Sequence, residues 1–95
     1  MDGTDTRRDT GRRLRQLREA LDYEQGEFAA MIGVNQPTYN NYETGLRLPS
    51  PSILRRVIAR TGATTDWIYL GDRRHLPPAL LEKLTPWDSS EDRAG

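Results

Sequence analysis

The chain has 95 residues, 35% of them apolar, with no cysteine, one histidine and a formal net charge of zero. That is room for one domain, and it excludes a disulfide framework, a cysteine-ligated metal and thiol chemistry, while the lone His75 is too few ligands for a histidine metal site. No apolar run reaches the roughly 18 residues of a membrane span and the N-terminus carries charges in place of an apolar segment, so the expected location is cytoplasmic.

Residues 1–9 are polar and aperiodic and read as a flexible N-terminal arm. Thr10 is placed to cap a first helix, in which Leu14, Leu17 and Leu21 recur at spacings of three and four. Gln25–Ile32 reads as a short second helix with Phe28, Ala29 and Ile32 on one side and Gly33 as its stop. Asn35 can cap a third helix, with Pro37 in its first turn, where a missing N–H costs nothing; it runs to Thr44 and Gly45 stops it. Ser50 and Pro51 open a fourth helix carrying Ile53, Leu54, Val57 and Ile58, ended by Gly62. Thr64 or Thr65 starts a short fifth through Trp67, Ile68 and Leu70, ended by Gly71.

Nothing alternates with a period of two, so the fold class is all-α: a five-helix domain over 10–71 and a C-terminal tail over 72–95. In the tail, Pro77-Pro78 can open one more short helix over 78–84 bearing Leu80, Leu81 and Leu84, and Asp88–Gly95 reads as unstructured. A core this small does not obviously bury Trp67, Ile68 and Leu70 together with Leu76, Leu80, Leu81 and Leu84. These residues therefore predict a dimer interface.

The neutral total charge hides an asymmetry. From Thr6 to Arg60 ten arginines face six acidic residues, and acids outnumber bases in the pieces on either side. Arginine suits planar contacts to phosphate and bases. Within this basic stretch, two short helices are separated by the turn Gly33-Val34-Asn35, the layout of a helix-turn-helix. At about 100° per residue, Tyr39 and Tyr42 point one way, and Gln36, Pro37, Asn40, Asn41 and Thr44 occupy the opposite arc, with Glu43 at the edge of the buried side. That arc is uncharged and rich in amides, the side chains that pair with adenine in the major groove of DNA.

Here the residues resemble a known family. Gln25-x3-Ala29-x3-Gly33-x5-Tyr39-x2-Tyr42 followed by Glu43-x-Gly45, with the run Thr65-Asp66-Trp67-Ile68-Tyr69-Leu70-Gly71, is similar to the phage repressor and Cro proteins and their bacterial relatives, the xenobiotic-response-element family. The likeness covers about residues 11–71. It implies a lambda-repressor-like fold in which Gln36, Pro37 and Asn41 read bases, Gln25, Asn40 and Arg47 lie against the DNA backbone, and Arg18 and Glu43 form a structural ion pair. Three positions depart from the family pattern. Glu24 stands where a neutral cap is usual, Gly26 weakens the start of the second helix, and Pro37 has no donor with which to bond a base.

The expected function is a non-enzymatic, sequence-specific regulator of transcription, a repressor binding double-stranded DNA as a homodimer, with no cofactor, metal, membrane or small-molecule partner. The alternative is an antitoxin-like or adaptor module that uses the same fold to hold a protein and whose tail folds on that partner.

Overall fold

The computed structural model describes residues 3–84. It is all-helical: α1 (Gly3–Ala20), α2 (Gln25–Ile32), α3 (Gln36–Glu43), α4 (Pro51–Thr61) and α5 (Thr65–Leu70) are followed by α6 over 78–84, and no strand occurs among the described residues. None of these helices is long and apolar enough to cross a membrane. The end expected to be unstructured, Asp88–Gly95, lies outside the described residues.

Local chemistry sets most of the boundaries. The side chains of Asn35, Ser50 and Thr64 each accept the N–H three residues on, and Pro37 and Pro51 sit in first turns. Glu24 opens α2 with its own N–H bound to the Glu27 carboxylate at 2.8 Å, as in a capping box. The end of α1 is closed without glycine. Asp22 takes a left-handed φ of 68°, while the N–H groups of Asp22 and Tyr23 return to the Glu19 and Arg18 carbonyls.

The first helix departs most from expectation. It begins at Gly3, so the segment read as an arm is helical from there on, and Thr10 is fully buried in mid-helix instead of capping it. The support is tertiary. A Cβ at Gly11 would fall within 3.0 Å of the Tyr42 and Glu43 carbonyl groups, so only glycine lets the α1 backbone cross the last turn of α3. At Gly45, with φ +83°, a Cβ would meet the Arg8 backbone at 3.0 Å, and Arg7 Nε donates to the Gly45 carbonyl at 3.1 Å. These contacts hold the early turns of α1 on the end of α3.

Packing runs from α1 to α3 and α5, and from α2 to α3 and α4. Leu14 and Leu17, Phe28, Ala29 and Ile32, Tyr39 and Tyr42, and Leu54 and Val57 form one core. Arg13 is drawn into it and donates to the Ile68 and Tyr69 carbonyls, which covers the end of α5.

The expected dimer interface is overturned for most of its residues. Trp67 and Ile68 are fully buried, and Leu76, Leu80 and Leu84 join the same core. The tail over 72–84 folds back over its own domain, and the i, i+4 spacing of Leu80 and Leu84 places both on the inward side of α6. Leu81 is half-buried, and of this group Leu70 alone remains outside, 75% exposed.

Candidate nucleic-acid interface

The third helix is held from one side by a run of aromatic rings. Tyr23 meets Phe28 edge-on at 5.8 Å, Phe28 meets Tyr39 at 5.3 Å, and Tyr39 meets Tyr42 at 6.2 Å. The Tyr39 hydroxyl donates to the Leu14 carbonyl at 3.4 Å. Burial first, and then its contact with Glu43, raise its pKa far above the ordinary tyrosine value.

With that side fixed, Gln36, Pro37, Asn40 and Thr44 stand exposed on the other, and none carries a charge. Asn41, placed in the same arc by helical geometry, is half-buried. The turn after α3 folds back against it, with the N–H groups of Leu46 and Arg47 both donating to the Asn41 carbonyl at 3.0 and 3.1 Å.

The amides are tied together. Gln25 Nε2 donates to Asn40 Oδ1 at 3.0 Å and to Glu43 Oε1 at 3.1 Å, and Gln36 Nε2 donates to Gln25 Oε1 at 3.4 Å. Both amide hydrogens of Gln25 are thus engaged inside the protein. Glu43 is gripped from behind by Arg18, Nε to Oε2 at 2.7 Å and Nη2 to Oε1 at 3.2 Å, while Arg18 Nη1 donates to the Tyr23 carbonyl at 2.9 Å. The two side chains are only 12% and 5% exposed, and the hydrogen bond to Glu43 outweighs burial and raises the Arg18 pKa.

The structure therefore joins five of the eight residues singled out in the sequence, Gln25, Gln36, Asn40, Glu43 and Arg18, in one network from α1 to the surface of α3. Pro37 lies exposed beside the network, Asn41 sits at its margin, and Arg47 is exposed beyond the end of α3. The sequence left the placement of Arg8 open. It was counted with the arm, yet the α1–α3 crossing brings its backbone against Gly45. The signal lay in Gly11 and Gly45, but what each one packs against, the end of α3 for Gly11 and Arg8 for Gly45, is a property of the fold.

Among known proteins, a family profile described as helix-turn-helix matches residues 14–68. No curated protein and no solved structure matches the chain.

Proposed function

The chain belongs to the Cro/C1-type helix-turn-helix family of DNA-binding transcription regulators, and from that premise we propose that it is a repressor that binds a pseudo-palindromic operator as a homodimer through the exposed amide face of α3. The observation that carries this reading is the uncharged, exposed row of Gln36, Pro37, Asn40 and Thr44 above a fully packed aromatic side. An ordinary solvated helix face carries lysine and glutamate; this one carries groups able to donate and accept at once. Gln36 lies near the start of α3 and Asn41 near its end, five residues or about 7.5 Å along the axis, enough to address different base pairs. Amides pair best with adenine, so the half-site carries A·T pairs at the positions these residues meet. Gln25 acts by holding Asn40 and Gln36 in place, and reaches phosphate only after giving up one of its internal bonds.

One such domain covers few base pairs. Two copies related by a two-fold axis double the contacts and set half-sites about one helical turn apart. Occupancy of a promoter is then enough for repression. The adaptor alternative expects a tail that folds only on its partner, whereas Leu76, Leu80 and Leu84 are already buried against their own domain, which favours the regulator. Selection from random-sequence duplexes with the full chain tests the reading. Enrichment of a palindrome with A·T-rich half-sites supports it, and recovery of no common sequence contradicts it.

A further inference from the structure

The outer side of α4 concentrates charge of one sign. Its exposed residues after the first turn are Arg55, Arg56, Ala59 and Arg60, and they share one arc of about 140° at about 100° per residue, away from buried Leu54 and Val57. The helix contains no acidic residue. The arc thus carries three guanidinium groups with no counter-charge, and Arg56 and Arg60 stand four residues apart, where like charges repel. Two of the three have a local use. Arg56 Nη1 donates to the Ile32 carbonyl at 3.1 Å and closes the end of α2, and Arg60 lies in the last turn, where the helix dipole favours a cation. Arg55 has neither, and Arg55 and Arg60 have no hydrogen-bond or ion-pair partner among the described residues. On α1, by contrast, Arg12, Arg15 and Arg18 are each paired with an acid of the same domain.

The missing counter-charge is in the sequence. In a chain of zero net charge, Asp88, Glu91 and Asp92 fall close together past α6, offset there by Arg93 alone. The tail meets α4 before it reaches them. A Cβ at Gly62, the residue that ends α4, would lie 3.3 Å from Pro77 Cγ, so the start of α6 sits against the end of α4, close to Arg60. The helix over 78–84 is then about 10 Å long. From Leu84 the chain spans at most about 14 Å to Asp88 and about 28 Å to Asp92. Arg55 and Arg60 are only about 7.5 Å apart along α4, so the acids lie within reach of the arginines whichever way α6 points.

We propose that the acidic segment Asp88–Asp92 seats on the arginine face of α4 in its own chain. Guanidinium and carboxylate pair through charge-assisted hydrogen bonds, and the three carboxylates match the three arginines in number. The seat relieves the repulsion along α4. It also masks a second cationic surface from phosphate and leaves DNA to the side that bears the amides of α3. The docking stands apart from the DNA-binding reading; the masking rests on it.

The docking is tested without DNA. The side-chain Nε–Hε resonances of Arg55, Arg56 and Arg60 are compared by NMR between the full chain and a full-length variant carrying Asp88→Asn, Glu91→Gln and Asp92→Asn together. They should differ at about 0.01 M salt, where the Debye length is about 30 Å, and converge near 1 M, where it is about 3 Å. Arg15, already paired with Glu19, should not move. Arginine signals identical in the two proteins at low salt overturn the docking. A difference that grows with protein concentration places the acids on a second copy and overturns the seat within one chain. Masking is read separately on a scrambled duplex. Neutralising the acids should raise affinity about eight-fold at 0.1 M salt for each arginine freed to meet a phosphate, and adding Arg55→Ala and Arg60→Ala should remove the gain. Scrambled-duplex affinity that stays at the wild-type value while the arginine signals shift overturns the masking and leaves the docking standing.

Discussion

The two ends of this domain handle their side chains in opposite ways. Around α3, the amides of Gln25, Gln36 and Asn40 are bonded to one another, and the network runs back through Glu43 to a shielded arginine. Around α5 and α6, the residues that looked available for a partner, Trp67, Ile68, Leu80 and Leu84, are consumed by the chain's own core. Apolar residues at the end of a small domain need not mark an interface, because a folded tail can cover them. An asparagine held in register on an open helix face is harder to explain by stability alone, since Asn40 costs helix propensity and gains only an exposed hydrogen bond.

The largest effect expected from breaking this contrast is at the crossing that supports the α3 end. Gly11→Ala drives a methyl group into the Tyr42 and Glu43 carbonyl groups, which are backbone and cannot swing aside. A loss of about 3 kcal/mol or more is expected in urea unfolding, and DNA binding is lost with it. A midpoint within a few tenths of a molar of wild type would mean that the crossing is looser than described. At the other end, Leu84→Ala removes a 1% exposed side chain and should cost about 2–4 kcal/mol. Sequence preference, measured on protein kept below its melting point, should not change. Sedimentation sharpens the point: because these leucines face inward, the loss should appear in stability and not in the monomer–dimer balance.

A smaller effect separates the buried side of α3 from its exposed side. Tyr39 stays protonated in the fold well beyond the ordinary tyrosine pKa of 10.0. Above that pH the unfolded chain releases a proton that the folded chain keeps, so the stability contribution, fully present below about pH 10, falls by up to about 1.4 kcal/mol per pH unit as pH rises further. Thermal melts between pH 9 and 11 should show this decline (a window set by that ordinary value), and Tyr39→Phe should flatten it. The smallest effect is at neither end. Asp22→Gly relieves a left-handed φ of 68° and should stabilise by about 0.5 kcal/mol with DNA binding unaltered.

The contrast also explains what the sequence made legible. The limits of α2 and the starts of α3, α4 and α5 follow from side chains acting within three residues of themselves, Asn35, Ser50 and Thr64 as caps with glycines as stops. Helical periodicity alone put Gln36 and Asn40 on the open side of α3. The start of α1 was not legible, because it depends on Gly11 meeting the Tyr42 and Glu43 carbonyl groups and on Arg8 meeting Gly45 across the fold. Nor was the fate of the tail. The pattern of Leu80 and Leu84 reads as an apolar stripe, but a stripe does not say whether its partner is another chain or its own. Asn41 is half-buried where the helical wheel shows only an open arc, because a wheel contains no turn that folds back on the end of the helix.

The most direct test of the central claim compares the two ends in one assay. Gln36→Ala and Leu84→Ala are each measured against the selected duplex and against random duplex, with circular dichroism confirming folded protein. The account predicts that Gln36→Ala loses about 1–3 kcal/mol on the selected site and much less on random DNA, while Leu84→Ala keeps the wild-type ratio between the two. An unchanged ratio in Gln36→Ala with its helix content intact would contradict the account and take α3 out of the groove.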